Sequence, residues 1–277
     1  MGEYQQGTFP GVGGVELSYQ SWHPPAAPCA ILTIVHGLGG HGGLFANIIN
    51  YLLPLNYAIY TCDLRGHGRS PGQRAYINSW DEFRGDIDAF LTFIKQQEAH
   101  CPCFLYGNSL GAIIVLDYSL SYPDKIQGVI AAGAPLGRVG VSPLRLMIGK
   151  ILSRVWPRFS INTGIPLKAG TRDQEVLSNY VNDPLRHTQG TARLATEMFA
   201  TVKKIQSQTS HFKTPLLLLH GGKDHISLPE GVRTFFSHVT YPDKKFLEYS
   251  EAFHELHNEL NYQEIMADLV DWLEAHR

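Results

Sequence analysis

The segment Phe104-Leu105-Tyr106-Gly107-Asn108-Ser109-Leu110-Gly111 constrains the fold of this chain more than any other. A short apolar run that meets Gly-x-Ser-x-Gly and passes at once into a helical pattern predicts a strand that turns sharply into a helix. Ser109 stands at the corner of this turn. The flanking glycines are needed because side chains there would collide with the neighbouring strand and helix. Since Gly-x-Ser-x-Gly also occurs by chance, the rest of the chain decides whether Ser109 is a nucleophile.

Buried strands alternate with helical patterns along the first half of the chain. Strands are predicted near Thr8 and over 15–22, 29–35, 57–62, 104–107, 128–134, 216–221 and 246–249. The first two read as an antiparallel hairpin around a Gly-rich turn at 11–14. Strand and helix alternation further on predicts a mainly parallel sheet flanked by helices, with ligand sites at the carboxyl ends of the strands. The predicted fold class is therefore α/β, with an eight-stranded sheet.

The alternation breaks between 136 and 214, where no clear buried strand is found. Helical patterns cover 144–156, 173–182 and 190–206 in this interval. An insertion between two core strands, at their active ends, predicts a helical cap after the sixth strand. The expected domains are a first part of the core at 1–135, a cap at 136–214 and a second part of the core at 215–277.

Composition and charge exclude several classes of protein. A formal net charge of -2 gives no global electrostatic reason to expect nucleic acid as a partner. Four cysteines indicate a reducing cytosol, and Cys101-Pro102-Cys103 lacks a second pair at zinc spacing, so no metal is expected. The first residues lack a secretory pattern, and no apolar run is long enough to span a bilayer. We therefore expect a cytoplasmic protein whose only membrane contact is peripheral.

The Gly-rich segment His36-Gly37-Leu38-Gly39-Gly40-His41-Gly42-Gly43 follows a buried strand and precedes a helical pattern. Its backbone N–H groups can converge on an anion. The patterns of phosphate-binding and dinucleotide-binding loops are absent, which favours a loop that stabilises an oxyanion. The expected donors are the backbone N–H groups of Leu38 and of Leu110, directly after the serine.

Three chemically complementary side chains follow three different strands in the order Ser109, Asp224, His254. This is the chain order of the α/β-hydrolase triad, in which the histidine activates the serine and the carboxylate orients the histidine. His257 lies one helical turn further on and competes with His254 for the role of base, but His254 is favoured because it lies closer to the end of the strand. His67 is a weaker candidate because nothing in its spacing links it to Ser109. No metal or organic cofactor is required by this chemistry.

The cap helix predicted at 144–156 is amphipathic and basic. Such a helix suits a membrane surface, but its apolar face could equally pack on the body of the protein or line an acyl channel. We predict substrate contacts from Met147, Ile148 and Ile151 on this helix, and from Gly37 and Asn108 beside the serine.

Six segments carry a resemblance to a known family: His36-Gly37-Leu38-Gly39, Asp63-Leu64-Arg65-Gly66-His67-Gly68-Arg69-Ser70, the Ser109 turn, Asn182-Asp183-Pro184-Leu185, Asp224, and Ala252-Phe253-His254-Glu255-Leu256-His257-Asn258-Glu259. Together they resemble the monoacylglycerol lipase and lysophospholipase branch of the α/β-hydrolases over nearly the whole chain. The resemblance implies catalytic roles for Ser109, Asp224 and His254 and a lid that associates with membranes. The family usually has His directly before the nucleophile, where this chain has Asn108.

The sequence and the resemblance together predict a serine hydrolase that cleaves monoacyl lipid esters, first of all monoacylglycerols. A lysophospholipase, a carboxylesterase or thioesterase for small non-lipid esters, and a catalytically silent binding protein remain as alternatives. The expected partner is a small lipid ester rather than nucleic acid, and the oligomeric state is left open.

Overall fold

The computed structural model describes residues 2–99, 101–137 and 143–277, without the side chains of 143–146. The strands are β1 (Glu3–Pro10), β2 (Glu16–His23), β3 (Ala30–Val35), β4 (Tyr57–Cys62), β5 (Cys103–Asn108), β6 (Gly128–Ala132), β7 (Ser160–Asn162), β8 (Gln189–Thr191), β9 (Leu216–Gly221) and β10 (Lys244–Tyr249). The α-helices are α1 (Ala46–Leu52), α2 (Trp80–Gln97), α3 (Leu110–Ser121), α4 (Pro143–Val155), α5 (Gln174–Asn182), α6 (Ala192–Ser207), α7 (Pro229–His238) and α8 (Tyr262–His276).

Eight strands form one sheet in the order β1-β2-β4-β3-β5-β6-β9-β10. The pairs β1·β2 and β2·β4 are antiparallel, and the remaining pairs are parallel. The predicted α/β class, the eight-stranded sheet and the antiparallel opening are therefore confirmed. The central strands β3, β4, β6 and β9 are buried along their whole length, as continuous apolar runs require of strands covered on both faces.

Helices cover both faces of the sheet. The apolar sides of α1 and α8 pack on one face, and those of α2, α3, α6 and α7 pack on the other. Helix α2 shows why this sequence forms such a helix: Phe83, Ile87, Phe90 and Ile94 recur at helical spacing and are buried, whereas polar residues occupy the opposite side. The sheet thus holds its strand ends rigidly, and the loops that follow β3, β5, β9 and β10 meet at one edge.

The interval between β6 and β9 contains α4, α5 and α6, as the helical patterns predict. It also contains a small antiparallel sheet of β7 and β8, which the sequence analysis did not predict. These strands have three residues each and are partly exposed, so they carry no apolar run. We propose that 136–214 forms the cap. Its segment 138–142 lies outside the described residues.

Polar contacts join the cap to the core. His41 Nε2 and Asp183 Oδ2 are 2.7 Å apart, and Lys204 Nζ donates to the fully buried Asp117 at 2.8 Å. The Thr191 hydroxyl donates to the carbonyl of Ala75 at 2.6 Å. Helix α6 is therefore joined to the core both at Thr191, directly before it, and at Lys204 near its carboxyl end. No helix among the described residues is long and apolar enough to cross a membrane.

Candidate active site

Ser109 lies between β5 and α3 in a backbone conformation that residues other than glycine rarely adopt, with φ 56° and ψ −116°. Two glycines make this sharp turn possible. A Cβ at Gly107 would lie 2.3 Å from the carbonyl oxygen of Gly111, and a Cβ at Gly111 would lie 2.1 Å from the carbonyl oxygen of Val35. Only glycine fits at either position. The turn presents Ser109 at the start of α3, beside the carboxyl end of β5.

Asp224 follows β9 and is fixed by hydrogen bonds to both carboxylate oxygens. Its Oδ1 accepts the backbone N–H groups of Ile226 and Ser227, each at 2.8 Å. Its Oδ2 lies 2.7 Å from Nδ1 of His254, which belongs to the loop after β10. These two amides and the imidazole hold the carboxylate in one orientation, with Oδ2 facing His254. The Nδ1 of His254 then carries the proton, and Nε2 is free to accept one.

Burial and charge shift the pKa values of this pair in opposite directions. Burial alone would lower the pKa of His254, but the hydrogen bond and the negative charge of Asp224 outweigh it and raise that pKa above its ordinary value. Burial alone would raise the pKa of Asp224, but the hydrogen bonds and charge of its partners keep it lowered. The carboxylate is therefore ionised at neutral pH and stabilises a protonated imidazole.

Ser109 and His254 line one cavity of about 80 Å³ between the sheet edge and the cap. No hydrogen bond joins the two side chains within the described part of the chain. Hydrogen bonds of this kind are often long or absent without a bound ligand and shorten when substrate arrives. Gly133 borders the imidazole: a Cβ at this position would come within 3.2 Å of His254 Nδ1. The histidine ring is thus held between Asp224 and the end of β6.

The loop after β3 brings one of the two predicted oxyanion donors, Leu38, to the cavity of the serine, and the start of α3 supplies the other. Gly37 packs so closely that an added Cβ would lie 3.1 Å from the Cβ of Ser109. Leu38 lines the cavity, and Leu110 is the first residue of α3. Neither backbone N–H donates a hydrogen bond to an acceptor in the described ranges. Both are consequently available to an oxygen bound beside Ser109.

His36 anchors this loop. Its Nδ1 hydrogen-bonds the carbonyl of Gly37 at 2.7 Å, and its Nε2 accepts the backbone N–H of Leu64 at 3.0 Å. Burial lowers the pKa of His36 to about 4, against the opposing charge of Asp63, so the ring is neutral at physiological pH. A neutral ring is required, since a protonated Nε2 could not accept the amide of Leu64.

The structure separates the two rival histidines from the Asp224 contact. His257 is buried, and its ring stacks on Phe45 with centroids 4.4 Å apart. Burial lowers the pKa of His257 to about 4. His67 is also buried, and its Nδ1 hydrogen-bonds the carbonyl of Arg65 at 3.0 Å, which orders the loop after β4. His257 borders the cavity, but His67 does not.

The remaining predicted contact residues lie in two places. Gly37 and Asn108 border the cavity, and Asn108 is buried beside Ser109. The side chains of Met147, Ile148 and Ile151 are 54%, 46% and 53% exposed on α4 and do not border the cavity. A substrate contact of these three residues therefore stays a prediction, because α4 exposes their side chains to solvent in this structure. Groups of three or more metal-ligating side chains are not found among the described residues.

Two charged side chains at the cavity were not singled out by sequence reasoning. Glu255 follows the histidine directly, and Arg186 comes from the cap segment before β8. Their atoms approach within 4.0 Å although 69 positions separate them in the chain. The position of Glu255 within the last motif was a usable signal. No sequence signal indicated Arg186, because only the packing of the cap brings this side chain to the cavity of Ser109.

A serine on a turn of this kind, above a mainly parallel sheet, defines the serine hydrolases with the α/β-hydrolase fold, and this chain is one of them. A family model described as Hydrolase_4 (serine aminopeptidase, S33) matches residues 26–261, and the chain belongs to that family.

Several known proteins similar to this chain are named as lipases or phospholipases. It is 27% identical over 271 residues to a monoacylglycerol lipase of Mycolicibacterium smegmatis, covering 97% of this chain and 96% of the relative. It is 25% identical to a phospholipase of Bacillus subtilis, covering 86% and 92%. The crystal structure of a monoacylglycerol lipase of Paleococcus ferrophilus superposes with a TM-score of 0.84 at 29% identity, covering 99% and 100%.

Proposed function

We propose that the protein is a serine ester hydrolase that cleaves the acyl ester of monoacylglycerols through an acyl-enzyme on Ser109. The observation that carries this proposal is the 2.7 Å contact between His254 and an ionised Asp224 at the cavity that Ser109 borders. The relatives named monoacylglycerol lipases, which match almost the full length of the chain, support the substrate.

The reaction follows from these positions. Ser109 Oγ attacks the carbonyl carbon of the ester while His254 Nε2 takes the hydroxyl proton, and Asp224 stabilises the imidazolium. The negative oxygen of the tetrahedral intermediate binds the N–H groups of Leu38 and Leu110. When the ester C–O bond breaks, His254 returns the proton to the departing glycerol oxygen. Water then attacks the acyl-enzyme by the same steps and releases the fatty acid.

The cavity is smaller than the roughly 300 Å³ or more that ligand pockets usually enclose. Ile165, Pro166 and Leu167 of the cap form part of its wall. An acyl chain therefore needs this part of the cap to move outward before it can bind. Such opening steps accompany substrate binding in many enzymes with a lid.

Helix α4 supports a peripheral contact with membranes, where monoacylglycerols reside. Its exposed side chains include Ile148, Ile151 and Val155, and Trp156 follows it with 60% of its surface exposed. Basic side chains such as Lys150 and Arg154 lie on the same helix and are exposed. An apolar surface bordered by cations suits an anionic lipid surface. We propose that the exposed side of α4 contacts such a surface.

A substrate panel tests the proposed function. Purified protein is assayed with monoacylglycerols of increasing chain length, short nitrophenyl esters, a lysophospholipid and an aminoacyl amide. We expect hydrolysis of the monoacylglycerols at the highest kcat/KM. Preference for the lysophospholipid would favour a phospholipase, and turnover of short esters alone would favour a general carboxylesterase. Preference for the aminoacyl amide would favour the peptidase of the family description. A fluorophosphonate probe that fails to label Ser109 would indicate a silent binding protein.

A further inference from the structure

Arg186 has an unusual environment for a cation beside a catalytic serine. Its side chain is only 14% exposed and borders the cavity of Ser109 and His254. Its Nε is buried and has no hydrogen-bond partner in the protein among the described residues. The nearest carboxylate oxygen, Oε1 of Glu255, lies 4.0 Å from Nη2, which is beyond hydrogen-bond distance. A buried donor without a partner is costly, so this N–H group calls for a functional explanation.

The guanidinium is nevertheless held in place. Its Cζ lies 3.8 Å from the ring centroid of Tyr180, a stacking distance at which the aromatic face attracts a cation. The backbone around it is fixed by Asp183, whose Oδ1 accepts the N–H of Leu185 at 2.8 Å and whose Oδ2 contacts His41. Arg186 is therefore held at the border of the cavity by stacking and by a fixed backbone.

Acceptors lie opposite these donors. One oxygen of Glu255 accepts the hydroxyl of Tyr180, and that hydroxyl in turn accepts Nδ2 of Asn258 at 2.6 Å. The other oxygen, Oε1, faces Arg186. Asn108 Oδ1 is also buried without a hydrogen-bond partner in the described chain, and it borders the same cavity. A cation, a carboxylate and an amide side chain thus border one cavity next to the serine.

A hydroxyl group both donates and accepts a hydrogen bond, so a pair of neighbouring hydroxyls can pair with the cation and with the carboxylate. A phosphate would satisfy only the donors and would place a negative charge beside the carboxylate of Glu255. Like charges that close together are unfavourable in a partly buried site. The arrangement therefore matches a neutral polyol better than an anionic headgroup.

We propose that Arg186 and Glu255 form a headgroup subsite that binds the free hydroxyls of the glycerol moiety and selects neutral glyceryl esters over phosphate-bearing ones. This inference rests on the proposed function and names the residues that determine its substrate class. Arg186 donates to one hydroxyl oxygen, and Glu255 accepts from the neighbouring hydroxyl, while the acyl carbonyl lies at Ser109.

The test compares kcat/KM for three substrates with the same acyl chain: the monoacylglycerol, the methyl ester and the lysophosphatidic acid. The readout is the ratio of the glyceryl to the methyl ester, because the methyl ester cannot reach the subsite. We expect Arg186→Leu to lower this ratio at least about tenfold, the loss typical of a hydrogen bond to a charged group. Arg186→Lys keeps the charge but lacks the Nε–H group, and we expect it to lower the ratio as well.

Arg158→Leu is the matched control. Arg158 is an arginine of the cap that stacks on Tyr76, with Cζ 4.4 Å from the ring centroid, and it does not border the cavity. The control should keep the wild-type ratio, and circular dichroism checks the fold of each variant.

The outcomes separate the two proposals. An active wild type whose ratio is unchanged in both Arg186 variants would overturn the headgroup subsite and leave the ester hydrolase standing. A larger loss with lysophosphatidic acid than with monoacylglycerol would overturn it too, since Arg186 would then bind an anion. A wild type that cleaves the methyl ester but not the monoacylglycerol would overturn the proposed function and the subsite together.

Discussion

At the scale of single residues, the hydrogen-bond network around Asp224 shows which histidine contacts this carboxylate. Two backbone amides occupy Oδ1, which leaves Oδ2 to one imidazole, that of His254. His220 approaches the same oxygen at 3.5 Å, but its Nε2 hydrogen-bonds the carbonyl of Ser227 at 2.7 Å. Position along the chain favoured His254 over His257 because it lies closer to the end of the last strand, but the contact with Asp224 depends on the folded loops.

The raised pKa of His254 predicts how activity depends on pH. The ring must be neutral to accept the proton of Ser109, so a higher pKa moves the loss of activity to higher pH. We expect kcat/KM to fall about tenfold per pH unit on the acid side, with a midpoint above the ordinary histidine value of about 6.5. A pH profile with a soluble ester measures this midpoint. A midpoint below 6 would contradict the contribution of Asp224.

At the scale of elements, α4 differs from the other long cap helix, α6, because its apolar side chains are exposed to solvent. Its exposed apolar side chains include Met147, Ile148 and Ile151, whereas the neighbouring α6 buries Leu194, Val202 and Ile205. An amphipathic helix with its apolar side in solvent gains free energy when it binds a lipid surface. The sequence predicted the helix from its periodicity but could not say which surface it covers.

Charges on the apolar side of α4 should release the protein from membranes. We expect Ile148→Asp combined with Ile151→Asp to lower binding to anionic phospholipid vesicles at least tenfold, because each buried isoleucine contributes roughly 1.5–3 kcal/mol. Vesicle sedimentation measures the bound fraction. Leu55→Asp replaces another exposed apolar residue, next to the amino end of β4, and serves as the control. Equal binding of the double variant and the control would rule out α4 as the contact.

The sequence predicts those elements in which apolar residues are continuous or recur at a regular spacing. The buried strands, the helices after the Gly-rich loop and after Ser109, and the three cap helices follow from continuous apolar runs and helical spacing. The short strands β7 and β8 carry neither signal, and helix α7 was not predicted. At the site, motifs located Ser109 and the candidate donors. The contact of Arg186 with the cavity was not predictable, since it depends on how the cap packs.

At the scale of the whole molecule, the core contains histidines that must remain neutral. Burial lowers the pKa values of both His36 and His257 to about 4. His36 accepts the backbone N–H of Leu64 in the loop after β4, and His257 stacks on Phe45, directly before α1. An unfolded chain would bind protons at these side chains near pH 6.5, whereas the folded chain does not.

The free energy of unfolding should therefore decrease as the pH is lowered from about 6.5 towards 4. Below pH 4 these two histidines contribute no further change. The sign follows because the unfolded state binds more protons in this window, at a cost of about 1.4 kcal/mol per pH unit for each histidine. We expect His257→Phe to flatten the fall of the unfolding free energy between pH 6 and pH 5 by about that amount. Urea denaturation at several pH values measures it.

His225→Phe, at an exposed histidine, is the matched control for this measurement. If His257→Phe and the control show the same pH dependence as the wild type, His257 does not remain neutral in the folded protein.

The central claim is that Ser109 cleaves monoacylglycerols through an acyl-enzyme. The most direct measurement follows the release of fatty acid and glycerol from a monoacylglycerol by the wild type and by Ser109→Ala. We predict equimolar release by the wild type and a loss of at least about a thousandfold in the variant, as for other triad serines. Release at the wild-type rate by Ser109→Ala, or no release by a folded wild type, would contradict the claim.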